Sequence, residues 1–114
     1  MYYKTQKSFE QRKEESFKIR SKYIDRIPVI VEPYTMRDTK IDKNKYLVPN
    51  DITLGHLVYI LRKRIQLAPE KAMFVFTGNT IPPTSISMME MYEKFKDMDG
   101  FLYLTYSTDS VTFG

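Results

Sequence analysis

Few side chains in this chain could carry out chemistry. There is no cysteine, which excludes disulfides, cysteine-ligated zinc and a thiol nucleophile of the chain's own. One histidine, His56, leaves little from which to build a histidine metal site or a catalytic triad, and it reads as a helix-surface residue. Carboxylates are plentiful, but there is no glycine-rich phosphate loop to go with them, so a small enzyme is a weak reading. What stands out is the end, "STDSVTFG" from Ser107 to Gly114: a polar run, a lone aromatic, then a glycine carrying the carboxylate. Most chain ends fray and tolerate change. This one is either a remnant of folding or a working end that an enzyme must hold.

Charge is distributed unevenly. Residues 1–26 hold eight basic side chains (Lys4, Lys7, Arg12, Lys13, Lys18, Arg20, Lys22, Arg26) against four acidic ones, and residues 27–114 hold ten of each. The formal charge of +4 therefore sits wholly in the first quarter of the chain. That describes a basic extension on a neutral domain and argues against a nucleic-acid face, although the many Tyr and Phe side chains could stack on bases. The longest apolar runs have five residues, for example Ala72 to Phe76, against the roughly 18 that a membrane helix needs. The start has no apolar stretch of a secretory signal, so a cytosolic location is the expectation.

The elements that must position any site follow from periodicity. Residues 8–24 read as a helix capped by Ser8, with Phe9, Phe17, Arg20 and Ile24 on the docking face. "RIPVIVEP" is a buried β-branched strand, and Pro28, lacking an N–H, places it at a strand start or edge. Residues 33–44 are a polar connection, and Lys45 to Pro49 form a second strand. Thr53 caps a helix whose Leu54, Leu57, Val58, Leu61 and Ile65 recur at helical spacing. Arg62, Lys63 and Arg64 suit the negative end of its dipole. "AMFVFTGN" reads as a third strand ending in a Gly78-Asn79 turn, and two prolines keep "TIPPTS" irregular. A short helix follows, with Met88, Met91, Tyr92 and Phe95 on one side. The methionines Met88, Met89, Met91 and Met98 read as adaptable packing beneath it. Asp99-Gly100 then turns the chain into the strand "FLYLTYS". After the first helix the order is β-β-α-β-α-β.

Five strings stand in register: "KIRSKYIDRIPVIVE", "KYLVPND", "LRKRI", "TIPPTS" and "FLYLTYS", closed by Phe113-Gly114. Together, from about Ser8 to Gly114, they resemble the autophagy-related protein eight family of ubiquitin-like modifiers, which includes GABARAP and the microtubule-associated light chains. The resemblance implies an α+β fold, a ubiquitin-like β-grasp with a four-stranded mixed sheet and crossing helix, preceded by N-terminal helices. It divides the chain into a basic helical extension (1–26), the β-grasp domain (27–107) and a flexible tail (108–114) that begins at Thr108.

The resemblance also implies function, with no catalytic residue, metal or cofactor. Gly114 would be joined to phosphatidylethanolamine after passing through activating and conjugating enzymes, with Phe113 as their recognition handle. A cysteine protease would process and deconjugate it, and the chain as written is either mature or encoded ready for conjugation. A glycine suits an acyl donor because it lacks the Cβ that would hinder an approaching amine. Two acyl chains suffice for stable anchoring where one is marginal. The protein would then be cytoplasmic, and on the autophagosome membrane when lipidated.

Cargo receptors would bind by adding a strand to an exposed edge at "KYLVP", through the aromatic-x-x-aliphatic motif called the LC3-interacting region. The resemblance places a first pocket at Glu15, Ile19, Pro28, Ile30, Lys45, Leu47 and Phe101. It places a second at Tyr46, Val48, Pro49, Ile52, Leu57 and Ile60. Arg26, Lys45 and Arg64 would be rim cations for acidic flanks. Without the resemblance, Leu47, Val48 and Ile60 read simply as core. The basic first segment is either a solvated helix or an arm for tubulin or anionic lipid. Leu57 stands where many members carry Phe, and Asn44 interrupts a lysine run, so partner preference is where this chain should differ. A non-lipidated peptide adaptor of the same fold is the alternative.

Overall fold

The computed structural model describes residues 2–108; Phe113 and Gly114 lie outside them. Two helices come first, α1 (Tyr2–Gln6) and α2 (Phe9–Lys22). They are followed by β1 (Arg26–Pro33), β2 (Lys45–Pro49), α3 (Leu54–Arg64), β3 (Phe74–Phe76), α4 (Met88–Phe95) and β4 (Leu102–Ser107). The sheet order is β2-β1-β4-β3, with β1 antiparallel to β2, parallel to β4, and β4 antiparallel to β3. This is the expected four-stranded mixed sheet, in an α+β ubiquitin-like fold.

Strand alternation sorts the core into two layers. Ile27, Val29 and Val31 of β1, Tyr46 and Val48 of β2, and Leu102, Leu104 and Tyr106 of β4 face α3 and α4. Leu54, Leu57 and Leu61 of α3 close that layer, each burial contributing roughly 1.5–3 kcal/mol. Met88, Met91 and Tyr92 of α4 complete it. On the other face Ile30, Phe101 and Tyr103 pack with Tyr3 of α1, and Ile19 of α2 leans against them.

Several elements differ from the sequence reading, each for a physical reason. β1 is a central strand despite Pro28. Val31 donates its N–H to Asn44 O, so by alternation the nitrogen of Pro28 faces β4, whose pairing starts only at Val29. The missing donor thus falls just outside the ladder. β3 is only three residues long. The chain before it is a turn held by Arg62, which donates to the carbonyls of Ala68 (3.1 Å) and Lys71 (2.7 Å). Met98 is 88% exposed and takes no part in packing α4.

The largest revision concerns α2. Ser8 does cap it, in a full capping box with Gln11. The expected docking face does not hold: Phe17 and Ile24 are 71% and 76% exposed. The buried side chains are Arg12 and Ser16. Arg12 Nη1 donates to Asp99 Oδ2 at 2.5 Å, and Ser16 hydroxyl donates to the Asp99 carbonyl. A polar anchor, not an apolar stripe, seats this helix.

Gly100 makes that seat possible. Its φ is +90°, and a Cβ there would lie 2.3 Å from Ser16 Oγ and 3.0 Å from Ser16 Cβ. Gly78, with φ +58°, has nothing within 4 Å of the same atom. Gly78→Ala should therefore meet backbone strain alone, on the order of 1–2 kcal/mol, and Gly100→Ala should cost clearly more because the helix must move. Thermal denaturation of the two variants side by side checks this. Equal losses would mean that α2 is not seated on Gly100.

Candidate functional site

Among the described residues the outer strand β2 pairs only with β1. Since Val31 bonds Asn44, and residues opposite one another alternate between bonded and non-bonded pairs, Tyr46 and Val48 direct their backbone groups inward. The N–H and C=O groups of Lys45 and Leu47 point outward, along the free edge. Pro49 ends the edge, having no N–H to offer. The guanidinium of Arg26 donates to the Leu47 carbonyl at 3.5 Å.

Alternation puts Lys45 and Leu47 on one face of the sheet and Tyr46 and Val48 on the other, with Pro49, expected in the second set, in register with the first. Lys45 and Leu47 lie opposite Ile30 and Pro28 on the face carrying α1 and α2. There Ile30 and Phe101 are fully buried, Pro28 is buried, and Ile19 packs against the same cluster. Glu15 of α2 pairs with Lys45 across the mouth. Tyr46 and Val48 face α3 with Leu57, and Ile52 packs beside them. Pro49 is half-buried, and Ile60 stands exposed on α3, three residues beyond Leu57. Leu47 (37% exposed) and Ile60 (39%) are thus not core, whereas Val48 (4%) is.

The charges are less free than the sequence suggests. Burial pushes the Glu15 carboxyl up, but hydrogen bonds from Lys45 and from the Tyr3 hydroxyl outweigh it and hold it below its ordinary value. Lys7 adds a contact at 3.4 Å. Arg64 forms a forked pair with Asp42, at 3.0 and 3.3 Å, the geometry that suits guanidinium and carboxylate best. Lys4 pairs with Asp97 at 2.6 Å and Arg12 with Asp99, so much of the first segment's positive charge is matched within the fold.

At its far end the sheet leads to the C-terminal segment. Thr108, expected to begin the flexible tail, is 5% exposed and hydrogen-bonded to residues 38 and 39. Its backbone N–H and hydroxyl both find partners in the 33–44 connection, which is why it stays folded onto the domain.

A family model described as "Autophagy protein Atg8 ubiquitin like" matches residues 11–114. The chain belongs to the Atg8 family. Among its Atg8 relatives, Autophagy-related protein 8A of Oryza sativa subsp. indica is 57% identical over 113 residues, covering 98% of this chain and 94% of that protein. Autophagy-related protein 8 of Emericella nidulans is 54% identical over 113 residues, covering 98% and 95%. In solved structures, Trypanosoma brucei ATG8 superposes with a TM-score of 0.90 at 44% identity, covering all of this chain and 98% of that one. Plasmodium falciparum Atg8, solved in complex with a Plasmodium falciparum Atg3 peptide, gives 0.85 at 38% identity, with 95% and 96% covered.

The Atg8 match begins inside α2, so α1 stands ahead of it. Sequence reading passed over Tyr3, which the structure places in the first-pocket cluster at 3% exposure, edge-on to Phe101 at 5.5 Å. The available signal was an aromatic pair, Tyr2-Tyr3, in an otherwise charged segment. Burial, and then the Glu15 hydrogen bond, push the Tyr3 phenol well above its usual range, so it stays a donor.

Proposed function

We propose that this Atg8-family chain is a lipid-conjugated modifier and adaptor without catalytic activity. Gly114 serves as acyl donor to phosphatidylethanolamine, Phe113 is the handle for the activating, conjugating and deconjugating enzymes, and the β2 edge receives peptides. The observation that carries the peptide reading is the outer edge of β2, which among the described residues pairs with no second strand and has an apolar set on either face. An added strand alternates its side chains, so residues three apart point to opposite faces. An aromatic-x-x-aliphatic segment lying on β2 therefore delivers its aromatic toward Ile30, Leu47 and Phe101, and its aliphatic toward Val48, Ile52 and Leu57. Backbone hydrogen bonds supply affinity and the two pockets supply selectivity.

Acidic flanks would meet Lys45, Arg26 and Arg64. Because Lys45 and Arg64 already have carboxylate partners, flanking charge exchanges one ion pair for another, and its effect on affinity is modest. Peptide binding is on record for the Plasmodium falciparum relative, which favours carrying it to this chain. Among the described residues no helix is long and apolar enough to cross a membrane. The two acyl chains of the lipid supply the anchor to the autophagosome.

The groove is tested by titrating a fluorescent aromatic-x-x-aliphatic peptide into the protein and into Leu47→Asp. Leu47 is exposed, so the fold should tolerate the change. Affinity should fall at least about tenfold, as for loss of a central contact. Unchanged affinity in a variant that melts like the parent would rule out this edge as the site.

A further inference from the structure

The connection between β1 and β2 holds a buried carboxylate that the groove does not use. Asp38 is 3% exposed. Its Oδ2 accepts from the Thr35 N–H (2.7 Å) and the Thr35 hydroxyl (3.1 Å). Its Oδ1 accepts from the Thr108 N–H (2.9 Å) and the Ser107 hydroxyl (3.2 Å). The neighbouring Thr39 donates its N–H to Thr108 Oγ1 at 2.9 Å, while its carbonyl accepts from the Tyr106 hydroxyl. Thr108 hydroxyl and Thr39 hydroxyl are 3.3 Å apart.

This cluster fixes the chain beyond the last rung of the sheet, since the β3 pairing of β4 ends at Ser107. Burying a carboxylate is costly unless its oxygens are satisfied, and here four donors converge on one. Burial pushes the Asp38 carboxyl up, but the bonds from Thr108 and Thr35 outweigh it and hold it below its ordinary value. Such an arrangement, at a place where chains usually fray, secures one backbone point. Gly114 lies six positions beyond Thr108, a reach of at most about 20 Å.

We infer that Asp38, with Thr39, is a positioning residue for the C-terminal segment: it clasps Thr108 so that Gly114 is presented to its enzymes from one fixed point on the domain. This rests on the reading of Gly114 as acyl donor. Fixing the base of a short reach removes orientational freedom that would otherwise be lost at the transfer step.

The test combines amide hydrogen exchange with reconstituted transfer to phosphatidylethanolamine liposomes, in wild type, Asp38→Ala, Asp38→Asn and Thr108→Val. In Asp38→Ala the Thr108 amide should lose protection, and the turnover rate at saturating conjugating enzyme should fall about tenfold. Affinity for the groove peptide should not change. Asp38→Asn, which keeps an acceptor oxygen, should recover part of the rate. Thr108→Val keeps the N–H and loses only the hydroxyl, so it should fold even if the alanine variant does not, with a loss of about two- to threefold. A protected Thr108 amide in Asp38→Ala would overturn the clasp. A freely exchanging one with transfer at the wild-type rate would overturn the positioning role alone. No adduct from the wild-type chain would overturn the Gly114 reading, and the positioning role with it.

Discussion

Asp99→Ala is expected to destabilise the fold by about 3–5 kcal/mol, the usual cost of stranding one member of a buried ion pair. Asp99 is fully buried, and its carboxylate accepts from Arg12 Nη1 and the Tyr103 hydroxyl on one oxygen, and from the Phe101 N–H on the other. Alanine would leave the Arg12 guanidinium, 9% exposed, without its carboxylate, beside the Lys7 carbonyl at 3.2 Å, the Tyr103 hydroxyl and the Phe9 ring. Two further donors would be orphaned beside Ile30 and Phe101, in the layer beneath the first pocket. Arg12→Met should cost less, because the carboxylate then keeps its other two donors and the methionine fills part of the space. Urea denaturation of both variants gives the comparison. A loss under about 1 kcal/mol for Asp99→Ala, or a larger loss for Arg12→Met, would show that the pair behaves as a surface contact and does not seat α2.

That pair also marks the limit of what the sequence discloses. Helical spacing placed Leu54, Leu57 and Leu61 in the core correctly, because α3 packs by an apolar stripe. The same reasoning chose Phe17 and Ile24 for α2 and failed, because the partners of Arg12 and Ser16 lie more than eighty residues away and neither residue is apolar. Periodicity detects a greasy face, not a complementary charge elsewhere in the chain. The β-branched run in β1 was legible, yet its central place was hidden by Pro28, whose tolerance depends on where β4 begins.

At the candidate site, the period of two in β2 sets Lys45 and Leu47 apart from Tyr46 and Val48, a division that the sequence offered only through the family resemblance, which grouped Pro49 with the second set although its register is that of the first. Exposure was less readable. Leu47 and Ile60 look like core by type, and they are left open by the lack, among the described residues, of a second strand beside β2 and by the position on α3. Tyr3 was missed because its role depends on the approach of α1 to Phe101. Thr108 was assigned to the tail because nothing local distinguishes it from the polar residues that follow; its clasp comes from Asp38, seventy positions earlier.

Gly114→Ala is expected to abolish lipid conjugation, or to slow it at least about 100-fold, the scale set by a misplacement of about 1 Å at a reacting atom. The donor carbonyl must be reached by an amine inside an enzyme cleft, and glycine alone presents no Cβ to either. Deleting Gly114 should have the same result. Phe113→Ala should weaken recognition while leaving the acyl donor intact, so more enzyme should restore part of its adduct. Both positions lie outside residues 2–108, and both variants are expected to melt like the parent and to bind groove peptide with the same affinity. Loss of peptide binding in Gly114→Ala would mean that the two halves of the proposed function are not separable.

The central claim is tested most directly by incubating the full chain with activating enzyme, conjugating enzyme, ATP and phosphatidylethanolamine liposomes, and measuring intact mass. The expected product is the chain joined to one phosphatidylethanolamine with loss of one water, the added mass located on the peptide that ends at Gly114. No added mass under conditions where an Atg8-family relative is converted, or added mass that persists in Gly114→Ala, would contradict it.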